Sequence, residues 1–304
     1  MTFNDNVRVD TSKVQRRTGG SGGGGRGGLK IAGGGLVGVI VLFVVGQLLG
    51  VNLLGSGGIG GLGSLGTVSD QSTQSVTTGN LDECQTGEAA NVDDVCRMTA
   101  ASDAIDRYWA TQVGNYRAPG VVLYDGSTQS GCGPATADVG PFYCPADESI
   151  YVDTAFFQTL RTDFGASGGS LAQMYVLAHE WGHHISNLIG SMNLAGRASG
   201  PTSGSVRLEL QADCFAGAWT RSASTVSDDS GVPFLKPVTT EQIADALNAA
   251  AAVGDDSIQQ RSTGSINPEG FTHGTSEQRQ RWFQTGYDQG PTACATFDVD
   301  GSQL

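Results

Sequence analysis

The chain has 304 residues and a net charge of −13, from 17 lysines and arginines against 30 aspartates and glutamates. Only 15% of the residues are charged and 7% are aromatic, whereas glycine occurs 46 times. This composition excludes a coiled coil, a histone-like basic protein and a collagen. The acidic charge also argues against nucleic acid as a partner, because phosphate binding needs a basic surface.

The first 30 residues differ in charge from the rest of the chain. They carry six basic and two acidic residues, so the acidic excess lies downstream. The Gly/Arg-rich run at 19–28 has no apolar side chains to bury, and such segments stay disordered. Residues 1–30 are therefore predicted to form a disordered basic head.

The next stretch, Ile31–Leu54, is almost wholly apolar, and no ionisable side chain lies between Lys30 and Asp70. About 20 helical residues cross a bilayer core. A cleaved signal peptide is the alternative, but its apolar region is shorter and nearer the N-terminus. We predict one transmembrane helix at 31–54, with the basic N-terminus in the cytoplasm by the positive-inside rule. A flexible linker at 55–79 would then lead to an extracytoplasmic domain at 80–304.

All six cysteines lie in that domain. An even number beyond a membrane anchor indicates disulfides. The short loops Cys84–Cys96 and Cys132–Cys144 are natural local pairs, which would leave Cys214 for Cys294, although the sequence alone does not determine the pairing. A cysteine-ligated zinc site is disfavoured because the chain contains no CxxC.

The domain is predicted to be α+β and predominantly helical. Apolar spacing and capping residues predict helices at Asp93–Val113, Leu171–Ile189, Ser205–Ser222, Thr239–Val253 and Ser276–Tyr287. Short β-prone runs predict strands at Val121–Tyr124 and Ile150–Val152.

The central helix carries the motif H-E-x-x-H, since residues 179–183 read His-Glu-Trp-Gly-His. Positions four apart lie on one face of a helix, so His179 and His183 can bind one zinc ion together. Glu180 can then accept a proton from a metal-bound water. Two buried histidines without a metal are the alternative interpretation, but buried ionisable groups in an apolar run need partners.

A catalytic zinc usually has three protein ligands. Glu209 and Asp213 lie four residues apart on a later predicted helix, with apolar neighbours that favour burial. Glu209 is the predicted third ligand and Asp213 the alternative. Otherwise Asp213 could accept a hydrogen bond from the free ring nitrogen of a ligating histidine and so orient it.

These segments resemble the bacterial family of neutral zinc metallopeptidases. The resemblance rests on His-Glu-Trp-Gly-His-His at 179–184, Glu-Leu-Gln-Ala-Asp-Cys-Phe-Ala-Gly at 209–217, Gly-Pro-Phe-Tyr-Cys-Pro-Ala-Asp at 140–147, Ile-Tyr-Val-Asp at 150–153 and Thr-His-Gly-Thr-Ser-Glu-Gln-Arg at 272–279. It covers most of residues 80–290. The resemblance implies a zincin-like fold, in which the substrate pairs with an edge strand above the metal, and Ile150–Asp153 is the expected strand.

The spacing of His273 and Arg279 is similar to that in membrane-bound zinc endopeptidases that also carry H-E-x-x-H and E-x-x-x-D. By that similarity His273 could donate a hydrogen bond to the reaction's oxyanion; holding a loop at a helix start is the alternative. Tyr143 and Tyr151 are further possible donors. His184 points away from His183 on the helix and is expected to be structural or exposed.

The leading interpretation is a membrane-anchored, extracytoplasmic zinc peptidase that acts on peptides or proteins, with Glu180 as general base. The alternatives are a non-catalytic zinc-containing binding or scaffold domain of the cell envelope and a zinc hydrolase of a non-protein amide. The sequence does not indicate the oligomeric state or the substrate.

Overall fold

The computed structural model describes residues 2–18, 77–136, 139–163 and 165–304. Within these ranges the chain forms seven strands and eight α-helices, so the predicted α+β class is confirmed. The strands are β1 (Val14–Thr18), β2 (Thr77–Gly79), β3 (Gly120–Asp125), β4 (Ser127–Ser130), β5 (Gly133–Thr136), β6 (Phe142–Cys144) and β7 (Ser149–Asp153). The helices are α1 (Gly87–Val92), α2 (Asp94–Gln112), α3 (Phe156–Thr162), α4 (Ser170–Leu188), α5 (Gly204–Ser222), α6 (Thr240–Ala252), α7 (Asp255–Thr263) and α8 (Ser276–Gln289).

The five predicted helices are confirmed with small shifts at their ends, as α2, α4, α5, α6 and α8. Capping explains several of the helix starts. The Thr239 side chain accepts a hydrogen bond from the backbone of Gln242, whose side chain accepts one from the backbone of Thr239 in return. Thr275 and Gln278 form the same reciprocal pair at the start of α8. Such caps satisfy backbone donors that the first turn leaves free.

Five strands form one mixed sheet in the order β2-β1-β3-β7-β6. Strands β1, β3 and β7 are parallel, whereas β2 and β6 run antiparallel at the two edges. The expectation that Ile150–Asp153 is the edge strand is therefore wrong. That run lies in β7, between β3 and β6, and a strand hydrogen-bonded on both sides has no free ladder to offer a substrate. The edge strand on that side is β6.

The sheet is buried on both faces. Val121, Leu123, Ile150 and Val152 point into the main core, which the helices complete. Their neighbours Val122, Tyr124 and Tyr151 face a second, smaller apolar cluster. A separate hairpin of β4 and β5 contributes Ala135 to that cluster. This alternation follows from the two-residue period of a strand.

The prediction that residues 1–30 form a disordered head is wrong for residues 2–18, which we call the N-terminal arm. Phe3 and Val7 in the arm are fully buried in the main core. The end of the arm forms β1, which lies inside the sheet between β2 and β3. Burial of apolar side chains and pairing on both sides of the strand stabilise this order.

The predicted transmembrane segment Ile31–Leu54 lies outside the described residues. Among the residues that are described, no helix is both long and apolar enough to cross a bilayer. The predicted orientation, with the N-terminus in the cytoplasm and the domain outside, conflicts with the arm. Residues 2–18 pack into the same core as residues 80–304, and a single crossing would separate them.

The three disulfides are those considered natural in the sequence: Cys84–Cys96, Cys132–Cys144 and Cys214–Cys294. The last connects α5 to the C-terminal segment. The second connects the tip of the β4–β5 hairpin to the edge strand β6. Cross-links of this kind stabilise a fold mainly by restricting the unfolded chain.

Candidate metal centre

Helix α4 places the two motif histidines in the protein interior. The helix is buried around nearly its whole circumference, with 15 of its 19 residues buried. The rings of His179 and His183 lie edge to face, with centroids 4.8 Å apart. Both side chains therefore point to the same side of the helix, as their spacing predicted.

A glycine inside the motif lets the second helix approach. A Cβ atom at Gly182 would lie 2.7 Å from the Cα atom of Ala212 on α5. Carbon atoms without a bond between them do not normally come this close. Only glycine allows α4 and α5 to pack at this distance, and that packing brings the carboxylates of α5 to the histidines.

Glu209 of α5 completes a group of three possible metal ligands. Its Oε2 atom lies 3.2 Å from His179 Nε2 and its Oε1 atom 3.5 Å from His183 Nε2. The three ligand atoms all lie within 4.8 Å of one another. Two imidazole nitrogens and one carboxylate oxygen are a ligand set that zinc takes in catalytic sites, where one position stays open for water.

The polar atoms of the site fit a cation. Glu209 is almost fully buried, and its Oε1 atom has no hydrogen-bond partner among the described residues. A buried carboxylate without compensation is costly, and a bound metal ion between the three side chains would supply the compensation. A second group, Cys84, Asp93 and Cys96, also has ligand-like spacing, but its two cysteines form a disulfide and offer no thiolate.

Asp213 is a partner of His179 rather than a metal ligand. Its Oδ1 atom lies 2.8 Å from His179 Nδ1. Because an ionised carboxylate only accepts hydrogen bonds, the Nδ1 atom carries a proton, and the Nε2 atom faces Glu209. This arrangement fixes the tautomer and the orientation of the ring. The alternative of Asp213 as third ligand is not supported, because the carboxylate is engaged elsewhere.

Asp213 is itself held by two further buried groups. The Arg279 guanidinium of α8 donates to both carboxylate oxygens, from Nε to Oδ2 at 2.7 Å and from Nη2 to Oδ1 at 3.0 Å. The Tyr175 hydroxyl donates to Oδ1. Arg279 also donates to the backbone carbonyl of Val253. Three helices and the end of a fourth thus meet at one carboxylate.

The electrostatics of the group follow from burial and close charges. Burial opposes the charged form of His179, yet Asp213 and Glu209 raise its pKa to about 10. For His183 burial prevails and lowers the pKa to about 4. Burial also opposes ionisation of Glu209, but the neighbouring histidines hold its pKa well below the usual range. Glu209 is therefore held ionised beside His179, whereas His183 is held neutral.

Glu180 lies next to His179 and is buried. Burial raises the pKa of its carboxyl to about 7, with the Glu209 charge adding to the effect. The backbone of Tyr143, in the edge strand β6, lies beside this carboxyl and partly offsets the rise in its pKa. This contact ties the candidate general base to the strand that borders the site.

His273 is buried just before α8 and is held by Asp255. The Oδ2 atom of Asp255 accepts hydrogen bonds from the backbone N–H groups of Thr272, His273 and Gly274, at 2.6–3.0 Å. Its Oδ1 atom lies 3.2 Å from His273 Nδ1. Burial opposes the charging of His273, but Glu209 and Asp255 raise its pKa. Its other nitrogen, Nε2, has no hydrogen-bond partner within the described part of the chain.

The other candidate donors lie elsewhere. The Tyr151 hydroxyl donates to Asp147, and its ring belongs to the cluster on the far face of the sheet. The Tyr143 hydroxyl lies 3.1 Å from Nδ1 of His184. His184 donates from Nε2 to the carbonyl of Arg117 at 2.8 Å and is fully buried. Of the two expectations for His184, structural or exposed, its burial and its two hydrogen-bond contacts agree with the first.

Tyr175 and Asp255 were not predicted from the sequence. Tyr175 is four residues before His179, so the helical repeat could have placed it on the same face. Asp255 precedes its partner by 18 residues, and only the fold brings the two together.

The chain matches the family model described as "Putative neutral zinc metallopeptidase" over residues 1–297. It is 50% identical over 223 residues to the uncharacterized protein Rv2575 of Mycobacterium tuberculosis, covering 72% of this chain and 76% of that protein. It is 44% identical over 189 residues to the uncharacterized protein YpfJ of Escherichia coli K12, covering 60% of this chain and 62% of that protein. No solved structure matches it. With a His-His-Glu group in place and a family match along nearly its whole length, the chain belongs to the neutral zinc metallopeptidase family.

Proposed function

We propose that this protein is a zinc-dependent peptidase that hydrolyses peptide bonds outside the cytoplasm. The single observation that carries the proposal is the buried group of His179, His183 and Glu209 with the carboxyl of Glu180 beside it. A structural metal site needs its ligands only. A buried carboxyl group that lies beside the ligands without being one of them serves a reaction better than it serves binding.

Three residues would hold the zinc ion: His179 and His183 through Nε2 and Glu209 through its carboxylate. A zinc ion in such a site acidifies a bound water and polarises a carbonyl group. Asp213 keeps His179 in the tautomer that leaves Nε2 free. Arg279 in turn keeps Asp213 ionised, since burial opposes its charge while Arg279 lowers its pKa.

Glu180 is the proposed general base. It would accept a proton from the attacking water and pass it to the nitrogen of the leaving amine. His273 is the proposed donor to the oxygen that becomes negatively charged, through the Nε2 atom that its contact with Asp255 leaves free.

The edge strand β6 is the proposed docking site for the substrate. A peptide in extended form can add to a free strand edge by backbone hydrogen bonds. Strand β6 occupies an edge of the sheet, and its Tyr143 contacts Glu180. A peptide paired with β6 would therefore lie next to the general base.

The extracytoplasmic location rests on the disulfides. Three disulfides account for all six cysteines, and such bonds persist in oxidising compartments. Attachment to a membrane through the apolar stretch 31–54 is part of the proposal and depends on the hydropathy of that stretch alone, without the single crossing that the packed residues 2–18 argue against.

The test compares full-length wild type with Glu180→Gln, using Glu277→Gln as the matched control. Glu277 is exposed, on the first turn of α8. Zinc per chain is measured by atomic spectrometry, and cleavage of a mixed peptide library is measured by mass spectrometry. We expect equal zinc in all three proteins and cleavage by wild type and Glu277→Gln only.

Cleavage by Glu180→Gln at the wild-type rate would refute the assigned general base. Zinc-loaded wild type that cuts no peptide would instead favour the non-catalytic binding or scaffold domain.

A further inference from the structure

The N-terminal arm is built into the catalytic domain by backbone hydrogen bonds along its length. The backbone N–H of Asn4 donates to Phe234 at 2.9 Å, and that of Gly87 donates to Val7 at 3.1 Å. The contact at Gly87 is so close that a Cβ atom there would lie 2.0 Å from the carbonyl oxygen of Asn4. The domain therefore has a surface shaped for this arm.

Side chains of the domain bind the arm as well. Asp228 accepts a hydrogen bond from the backbone N–H of Arg8 at 2.9 Å, and Asp103 accepts one from that of Asp10 at 2.8 Å. Both of these carboxylates, Asp228 and Asp103, are themselves buried. Buried carboxylates need such donors, so the domain's own polar groups depend on the arm.

A chain of contacts leads from the arm to the active-site helix. The Lys13 ammonium pairs with Asp106, and the Tyr116 hydroxyl donates to the other oxygen of that carboxylate at 2.7 Å. The indole N–H of Trp181 donates to the Tyr116 oxygen at 3.1 Å. Trp181 lies between the two motif histidines in the sequence. The arm thus supports the same helix that carries the candidate ligands.

The end of the arm is a neighbour of the residues that resume the domain. Strand β1 pairs antiparallel with β2, with Thr18 opposite Thr77 and Arg16 opposite Gly79. Paired strands lie about 5 Å apart. Thr18 and Thr77, the described residues on either side of 19–76, therefore lie side by side at one edge of the sheet.

We infer that the N-terminal arm lies on the same side of the membrane as the catalytic domain. A single crossing within 31–54 would place the arm and the domain in different compartments. Phe3 and Val7 would then leave the core, and β1 would leave a gap between β2 and β3.

Three of the six basic residues that predicted a cytoplasmic N-terminus have partners within the domain. Lys13 pairs with Asp106, Arg16 contacts Glu83, and Arg17 donates to the carbonyl of Gln129 at 3.0 Å. The positive-inside rule concerns charges on loops beside a membrane span. Charges that pair with the folded domain are weaker evidence of orientation. The inference is independent of whether the domain cleaves peptides.

The first test is a cross-link in the full-length protein, produced in bacterial cells, between Arg16→Cys and Gly79→Cys. A Cβ atom at position 79 would lie 3.4 Å from the Cβ atom of Arg16, close to the Cβ separation of about 3.5–4.5 Å in disulfides. Ser12→Cys with Gly79→Cys is the control, because Ser12 precedes β1 and is exposed. We expect the 16–79 disulfide in most chains, found by mass spectrometry after thiols are blocked in intact cells, and no 12–79 disulfide.

A second measurement keeps the test decisive if the cross-link perturbs folding. Single variants Ser12→Cys and Gly114→Cys are labelled with a membrane-impermeant maleimide in intact spheroplasts and after lysis. Gly114 is exposed in the domain, with open space around it. Equal labelling of both variants before lysis supports the inference. Labelling of Gly114→Cys before lysis and of Ser12→Cys only afterwards, without a 16–79 disulfide, overturns it.

Discussion

Replacing Asp213 with asparagine removes one negative charge from the centre of the buried network and keeps the shape of the side chain. Arg279 would lose the charged partner of its two hydrogen bonds to Asp213, at 2.7 and 3.0 Å, while its side chain remains only 3% exposed. Breaking a buried ion pair on one side costs about 3–5 kcal/mol, because the other charge stays buried without compensation.

The same change weakens the metal site. His179 would donate to a neutral amide oxygen instead of a carboxylate, and its orientation would be less firmly held. Loss of such a supporting group costs about 10–100-fold in metal affinity, which corresponds to about 1.4–2.7 kcal/mol. The effect on folding should exceed the effect on zinc binding, because Arg279 is affected whether or not zinc is bound.

The assay separates these two effects in the full-length protein. Urea unfolding with excess chelator reports the network alone, and competition with a chromogenic chelator reports the zinc affinity. Asp229→Asn is the matched control, since Asp229 also pairs with an arginine, Arg107, but is fully exposed; we expect little change in either assay. Wild-type stability in chelator together with wild-type zinc affinity in Asp213→Asn would refute the proposed role of the network.

Two further changes probe the helix packing and the arm. Gly182→Ala should force α4 away from Ala212, which should lower the free energy of unfolding by about 1–3 kcal/mol and lower the zinc affinity in the chelator competition. Gly114→Ala is the control, because Gly114 has open space around it, and it should change neither quantity. Equal behaviour of the two variants would contradict the close-packing argument. Asp228 has a folded pKa of about 2, below its usual value of 3.8, because hydrogen bonds from Arg8, Ser230 and Val232 outweigh its burial. This shift corresponds to a stabilisation of at most about 2.5 kcal/mol, which is thus present above about pH 4 and is lost as the pH falls through 2. The difference in unfolding free energy between wild type and Asp228→Asn should shrink over that range in urea titrations. A difference that does not change with pH would contradict a stabilising role of the ionised Asp228 carboxylate.

The core of the site could be predicted because the helical repeat alone places His179 and His183 together. The choice between Glu209 and Asp213 could not be made in the same way. Both lie on one face of α5, and what separates their roles is Arg279, which is 66 residues beyond Asp213 in the sequence. Long-range ion pairs leave no periodic signal.

The arm was missed for a related reason. Val14–Thr18 reads Val-Gln-Arg-Arg-Thr, with one apolar residue and no alternation to suggest a strand. Its order comes from pairing with β3, more than a hundred residues later. The edge strand was misplaced because β7 has the stronger β-propensity, whereas β6 is only three residues long. Position in a sheet depends on the neighbours of a strand rather than on its own sequence.

Because the N-terminal arm is part of the fold, experiments should use the full-length chain. Residues 80–304 alone would lack β1 and the buried side chains of Phe3 and Val7. We expect such a fragment to fold poorly, so loss of zinc from it would not bear on the site.

The central claim is that His179, His183 and Glu209 hold one zinc ion, and zinc content of the folded full-length protein tests it most directly. The protein is purified without added chelator, its fold is checked by circular dichroism, and zinc per chain is measured for wild type, Glu209→Ala and the exposed-site control Glu277→Gln. We predict about one zinc per chain in wild type and in the control, and almost none in Glu209→Ala. Folded wild type without zinc, or full zinc occupancy in Glu209→Ala, would contradict the proposed metal centre.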